Sequence, residues 1–84
     1  MQSHRSLEVP MIYTARVKIG DKVNYRPGHY NKNEYENGIV KEIPPDNLLA
    51  VRVVYNCAGD WENYFNYTSA LTRCKDLYMD WRHY

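Results

Sequence analysis

In its strongest segments this chain sets apolar side chains at every second position. Nowhere does a 3.6-residue period last beyond about two turns. In segment 48–56 (LLAVRVVYN), Leu49, Val51, Val53 and Tyr55 share one face, and Ala50, Arg52 and Val54 share the other. Segment 22–26 does the same, with Val23 and Tyr25 set against Lys22, Asn24 and Arg26. Side chains alternate between faces in a strand and not in a helix. The expectation is an all-β chain built from short strands.

Turn residues divide the pattern. Gly20-Asp21 precedes the first strand and Pro27-Gly28 stops it. Segment 29–37 (HYNKNEYEN) is polar and aperiodic, a long loop ending at Asn37-Gly38, where positive φ is easily adopted. Segment 38–43 (GIVKEI) is a second strand, and Pro44-Pro45-Asp46-Asn47 is a turn, since prolines cannot sit in a central ladder. The short link predicts an antiparallel hairpin with the third strand, 48–56. Asp60 is placed to cap a short helical turn over 61–65. Segment 68–72 reads as a fourth strand and 73–76 as a turn. Leu77, Met79 and Trp81 line one face of the fifth.

Residues 1–11 read as a polar arm ending near Pro10, with Met11 an alternative start, and Val17 and Ile19 share one face of segment 12–19. Residues 12–84 then form a single domain. Five short strands with one long early loop predict a small five-stranded antiparallel SH3-like barrel, whose closure would remove exposed sheet edges. An OB-fold is the alternative, and its strands need more residues. The expected core is Val23, Tyr25, Ile39, Val51, Val53, Tyr55 and Leu77.

A chain of 84 residues buries only a little over roughly 60% of the surface its unfolded form exposes. Eleven basic and ten acidic side chains nearly cancel, which disfavours a strongly basic nucleic-acid binder. No apolar run reaches the ~18 residues of a membrane span, and the first ten residues carry no signal-like apolar stretch. A cytoplasmic protein is expected, with Cys57 and Cys74 as free thiols, although their separation permits a bridge. No metal site is expected, because neither cysteine lies in a CxxC pair and His4, His29 and His83 are scattered. The sequon Asn66-Tyr67-Thr68 reads as coincidence without a secretory route.

Nothing in the sequence frames a catalytic group. Ser3, Ser6 and Ser69 lack the glycine-framed turn of a nucleophile elbow. Cys57, His29 and Asp60 would form a triad only if the fold brought them together, and Cys57 reads more simply as a small buried apolar residue. Glu34, Glu36, Asp60 and Glu62 read as solvated acids. The expectation is a non-enzymatic protein without a cofactor.

Aromatic content is the departure from the ordinary: nine Tyr, two Trp and one Phe, 14% of the chain. His29, Tyr30 and Tyr35 fall in the early loop, and Trp61, Tyr64 and Tyr67 in the later one. Two such loops flank one groove in an SH3-like barrel. Tyr and Trp offer rigid faces with a polar tip, suited to a base, a proline-rich peptide or a cationic group. Trp61 and Tyr67 also suit the core, and Tyr30 and Tyr64 the surface. With Asn66 for orientation and Arg26 and Arg52 on outward strand faces to grip phosphate, the candidate ligand-binding set is Tyr30, Trp61, Tyr64, Asn66, Arg26 and Arg52. Lys22 shares the outward placing. Solvated strand faces have the same composition.

The run Val-Lys-Ile-Gly-Asp-Lys-Val at 17–23, Glu-Asn-Gly-Ile-Val-Lys at 36–41 and Val-Val-Tyr-Asn-Cys at 53–57 resembles small proteins of bacteriophages and prophage-like elements. Asp60-Trp61-Glu62-Asn63-Tyr64, Asn66-Tyr67-Thr68, Thr72, Asp76-Leu77 and Trp81 continue the resemblance. The Gly-Asp-Lys-Val opening is also similar to Tudor-like and KOW-like barrels. The resemblance implies a phage-type binding protein, one that counteracts host defence by capturing a small nucleotide-like ligand or by blocking a host protein. A shallow pocket in so small a chain would favour a homo-oligomer with sites between subunits. A Tudor- or KOW-type nucleic-acid module and a structural virion component are the alternatives.

Overall fold

The computed structural model describes residues 17–83. The expected arm over 1–11 and the start of segment 12–19 lie outside the described residues. Val17 is buried, but Ile19 is 60% exposed and residues 17–19 form no strand, so these two do not share a buried face.

Five strands form close to where alternation and turn residues place them: β1 (Lys22–Tyr25), β2 (Glu36–Glu42), which begins within the expected loop, β3 (Ala50–Val54), β4 (Ala70–Arg73) and β5 (Leu77–Met79), which ends before Trp81. All neighbours pair antiparallel, in the order β4-β3-β2-β1-β5. A 3-10 helix, Trp61–Asn66, lies between β3 and β4, and a second, Cys74–Asp76, between β4 and β5. No helix among the described residues is long and apolar enough to cross a membrane.

The all-β expectation holds, but the sheet is open. Strands β4 and β5 are its two edges and share no ladder. The connection between them explains this. The Cys74 N–H donates to the Leu49 carbonyl (2.8 Å), and the Arg26 N–H donates to the Asp76 carbonyl (2.8 Å). The 3-10 turn is thus anchored beside β3 at one end and beside β1 at the other. It delivers β5 to β1 instead of folding it back on β4.

One face of the sheet carries the core. Val23, Val40, Val51, Val53 and Leu77 gather there with Val17 and Cys74, and Tyr25, Ile43 and Tyr55 pack against them. Each fully buried aliphatic side chain contributes about 1.5–3 kcal/mol. Ile39 is buried as expected, but on the opposite face, where it pairs with Val54; Val40 takes the core position. A register shift between Val40 and Glu42 marks a bulge in β2. Leu49 departs from its expected line with Val51 and is 55% exposed. The ladder begins at Ala50, so the alternation has no sheet to act on one residue earlier.

The second face is covered too, which the simple alternation does not predict. Ala50 and Val54 are buried there beside Ile39. The Trp61 and Trp81 rings meet at 4.9 Å, and the Trp81 Nε1–H donates to the Gly38 carbonyl (2.8 Å). Lys22 Nζ stands 4.7 Å from the centre of the Trp81 ring. Two asparagines hold the tail across this face. Asn24 Nδ2 donates to the Asp80 carbonyl (2.9 Å). Asn37 donates to the Arg82 carbonyl (2.8 Å) and accepts the Arg82 N–H (2.9 Å). Asn24, which alternation sets on the face opposite Val23 and Tyr25, is therefore only 5% exposed.

Gly38 lies inside β2 and not in a turn, and its φ is not positive. Its glycine identity answers a close approach. A Cβ there would sit 2.6 Å from Val53 Cγ1 and 2.8 Å from the Val54 carbonyl oxygen.

Candidate ligand-binding site

Tyr25 ends β1 with its ring against the rim of the core. The Tyr30 ring meets it edge-on at 5.5 Å and the Tyr55 ring tilts against it at 5.8 Å. The loop after β1 places Tyr30 by short-range bonds. The Tyr30 N–H donates to the Pro27 carbonyl (3.0 Å), and the Asn31 N–H donates to Glu34 Oε1 (2.7 Å). The Tyr30 hydroxyl donates to Glu36 Oε2 (2.6 Å), and Glu36 is the cross-strand partner of Tyr25. Tyr55 shares a 2.9 Å hydroxyl bond with Thr72 Oγ1 on β4.

Of these residues, Tyr25, Glu36, Tyr55 and Thr72 border an open cleft of about 390 Å³. Tyr25, Glu36, Tyr55 and Asp76 line it together with all four residues of β4. The Glu36 carboxylate pushes the Tyr30 phenol up to about 12, because it accepts the hydroxyl proton and repels the phenolate. Burial pushes the Tyr55 phenol up as well, against an opposing contribution from the Thr72 bond.

The later aromatic loop lies elsewhere. The expected turn over 61–65 is present as the 3-10 helix Trp61–Asn66, with non-helical angles at Asn63 (φ −113°, ψ 31°). Asp60 does not cap it through its side chain. Its carboxylate instead accepts the Tyr67 hydroxyl and Asn63 Nδ2, both at 2.9 Å. The Tyr67 phenol is raised by that bond. Tyr67 is half-buried and its carbonyl accepts Lys41 Nζ (2.7 Å). Trp61 and Tyr64 are half-buried, and Asn66 and Phe65 are exposed.

The six expected site residues therefore do not converge. Tyr30 does not line the cleft but packs against two residues that do, Tyr25 and Glu36. Trp61 and Tyr64 sit in the 3-10 helix that lies against β2, with Trp61 on the Trp81 face, and Asn66 ends that helix. The Arg26 guanidinium lies 4.0 Å over the Tyr78 ring, and Arg52 Nε lies 3.8 Å from Glu42 Oε1. The sheet itself separates the two aromatic loops. His29 packs edge-on against Tyr30, whereas Cys57 and Asp60 belong to the segment joining β3 to that helix. Cys57 and Cys74 are buried free thiols, and burial raises the Cys74 thiol.

Sequence reasoning missed Tyr25, Tyr55, Glu36 and Asp76 as cleft residues. A signal existed: Tyr25 and Tyr55 occupy core-facing positions at strand ends, where a phenol demands a polar partner or water that phenylalanine would not. Comparison of the chain with protein-family models, with curated proteins and with solved structures finds no match.

Proposed function

We propose that this chain is a non-catalytic binding module of the phage-borne, SH3-like kind, which blocks a host protein by holding one of its segments in the tyrosine cleft. The observation that carries this reading is the cleft itself: about 390 Å³ of open space bordered by two half-buried phenol rings. The strand order, the long β1–β2 loop and the 3-10 turn before β5 support the SH3-like assignment. A nucleotide asks for a cation beside the stacking ring. Arg26 lies over Tyr78 and Arg52 beside Glu42, and neither lines the cleft. Two carboxylates, Glu36 and Asp76, face the cleft against the single guanidinium of Arg73.

Titration of isotope-labelled protein with peptides selected from a display library, and separately with ATP, tests the reading. Peptides should shift the amide signals of Tyr25, Tyr55 and Thr72, and Tyr30→Ala should weaken them by ~1–3 kcal/mol. ATP binding that outcompetes them, or peptide binding lost only on Trp61→Ala, would place the site elsewhere.

A further inference from the structure

Strand side chains alternate between the two faces of a sheet, so a cleft on one face meets every second residue. This cleft meets Ala70, Leu71, Thr72 and Arg73 in succession. It therefore follows the strand itself, and β4 is an edge of the sheet. Among the described residues β4 has one ladder neighbour, β3, so its other side carries amide and carbonyl groups without a strand to pair with. Natural edges are commonly blunted by lysine, proline or a bulge. β4 holds no lysine, proline or bulge; its one charge is Arg73 at the C-terminal end, and Leu71 is 52% exposed. The rest of the lining comes from other elements: Tyr25 of β1, Glu36 of β2, Tyr55 just beyond β3 and Asp76 just before β5.

We propose, resting on the binding-module reading above, that the cleft takes its partner segment as an added β-strand. The segment pairs with β4 through backbone hydrogen bonds and sends one lysine or arginine side chain across the cleft. That cation lies against the Tyr25 and Tyr55 rings and between Glu36 and Asp76. Main-chain pairing supplies affinity without demanding a sequence, and the aromatic and acidic residues of the lining select the charge. Acidic segments are rejected by the same two carboxylates.

Twelve-residue peptides panned from a display library on the full chain supply the probe. The selected peptides should carry one invariant lysine or arginine. Methylating the peptide's backbone nitrogens one at a time should weaken binding at least tenfold at alternate positions only, because only every second N–H of an added strand faces β4. Hydrogen exchange at β4 amides should slow on binding. Asp76→Asn and Glu36→Gln should each reduce affinity for the basic peptide about three- to tenfold, with the fold kept by circular dichroism. Binding that depends on Tyr30 and Thr72 but tolerates every N-methyl group would overturn strand addition and leave the cleft reading standing. Selected peptides without a basic residue would overturn the charge assignment. Peptides whose signals map to Trp61 and not to Tyr25 or Tyr55 would overturn both this proposal and the cleft reading beneath it.

Discussion

A missing side chain fixes more at Gly38 than any side chain could. The Cβ of an alanine would meet Val53, the Val54 carbonyl and Tyr55 within 2.9 Å, and one of those contacts is backbone. Gly38→Ala should therefore lower stability by about 3 kcal/mol, measured by chemical denaturation, as overpacked sites do. The sequence suggested a turn glycine, because Asn-Gly is a turn signal and the depth of Val53 behind it is a tertiary fact. Tyr30 gives a second test at this scale. Its phenol is raised from 10.0 to about 12, mainly by the bond to Glu36. A raised acid contributes its stabilisation fully below the ordinary value near 10, and loses it as pH climbs toward 12. Carbon-detected titration of the ring should show Tyr30 ionising late, and Glu36→Gln should bring that midpoint down toward 10.

Elements were legible wherever local pattern coincided with the sheet. The five strands, the β2–β3 hairpin and the later helical turn follow from alternation and turn chemistry to within a few residues, but Glu36 and Asn37 of β2 read as loop and Trp81 read as part of β5. Leu77 and Leu49 show where that legibility stops. Both continue an alternating line, yet Leu77 is fully buried and Leu49 lies beyond the end of the ladder, 55% exposed. Leu77→Ala should remove about 2–5 kcal/mol of stability, whereas Leu49→Ala should stay within about 0.5 kcal/mol. The site was less legible than the fold. Two aromatic loops read as one groove, because sequence cannot say that a sheet stands between them. The asparagine straps were hidden for the same reason: Asn24 and Asn37 look like polar strand positions until the tail is laid over them. Asn37→Ala removes both bonds to Arg82. It should speed hydrogen exchange at the Arg82 amide while leaving β3 amides protected.

For the molecule as a whole, two buried free thiols should make thermal stability indifferent to reductant, and thiol reagents should label Cys57 and Cys74 fast only after unfolding. A melting temperature that fell on reduction would contradict this. The strand order has a further consequence, for the speed of folding. Strands β2, β3 and β4 pair with their chain neighbours, but β5 reaches β1 from the far end of the sequence, and Asn24 and Asp80 lie 56 positions apart. Such a closure loses much chain entropy before any contact repays it, so refolding should take milliseconds to seconds. If the β1–β5 ladder forms after the barrier, Leu77→Ala will accelerate unfolding and leave the refolding rate nearly unchanged in stopped-flow measurements. Until that last ladder forms, β1 remains a bare edge, and the growing or refolding chain is most exposed to pairing with its neighbours at Val23 and Tyr25.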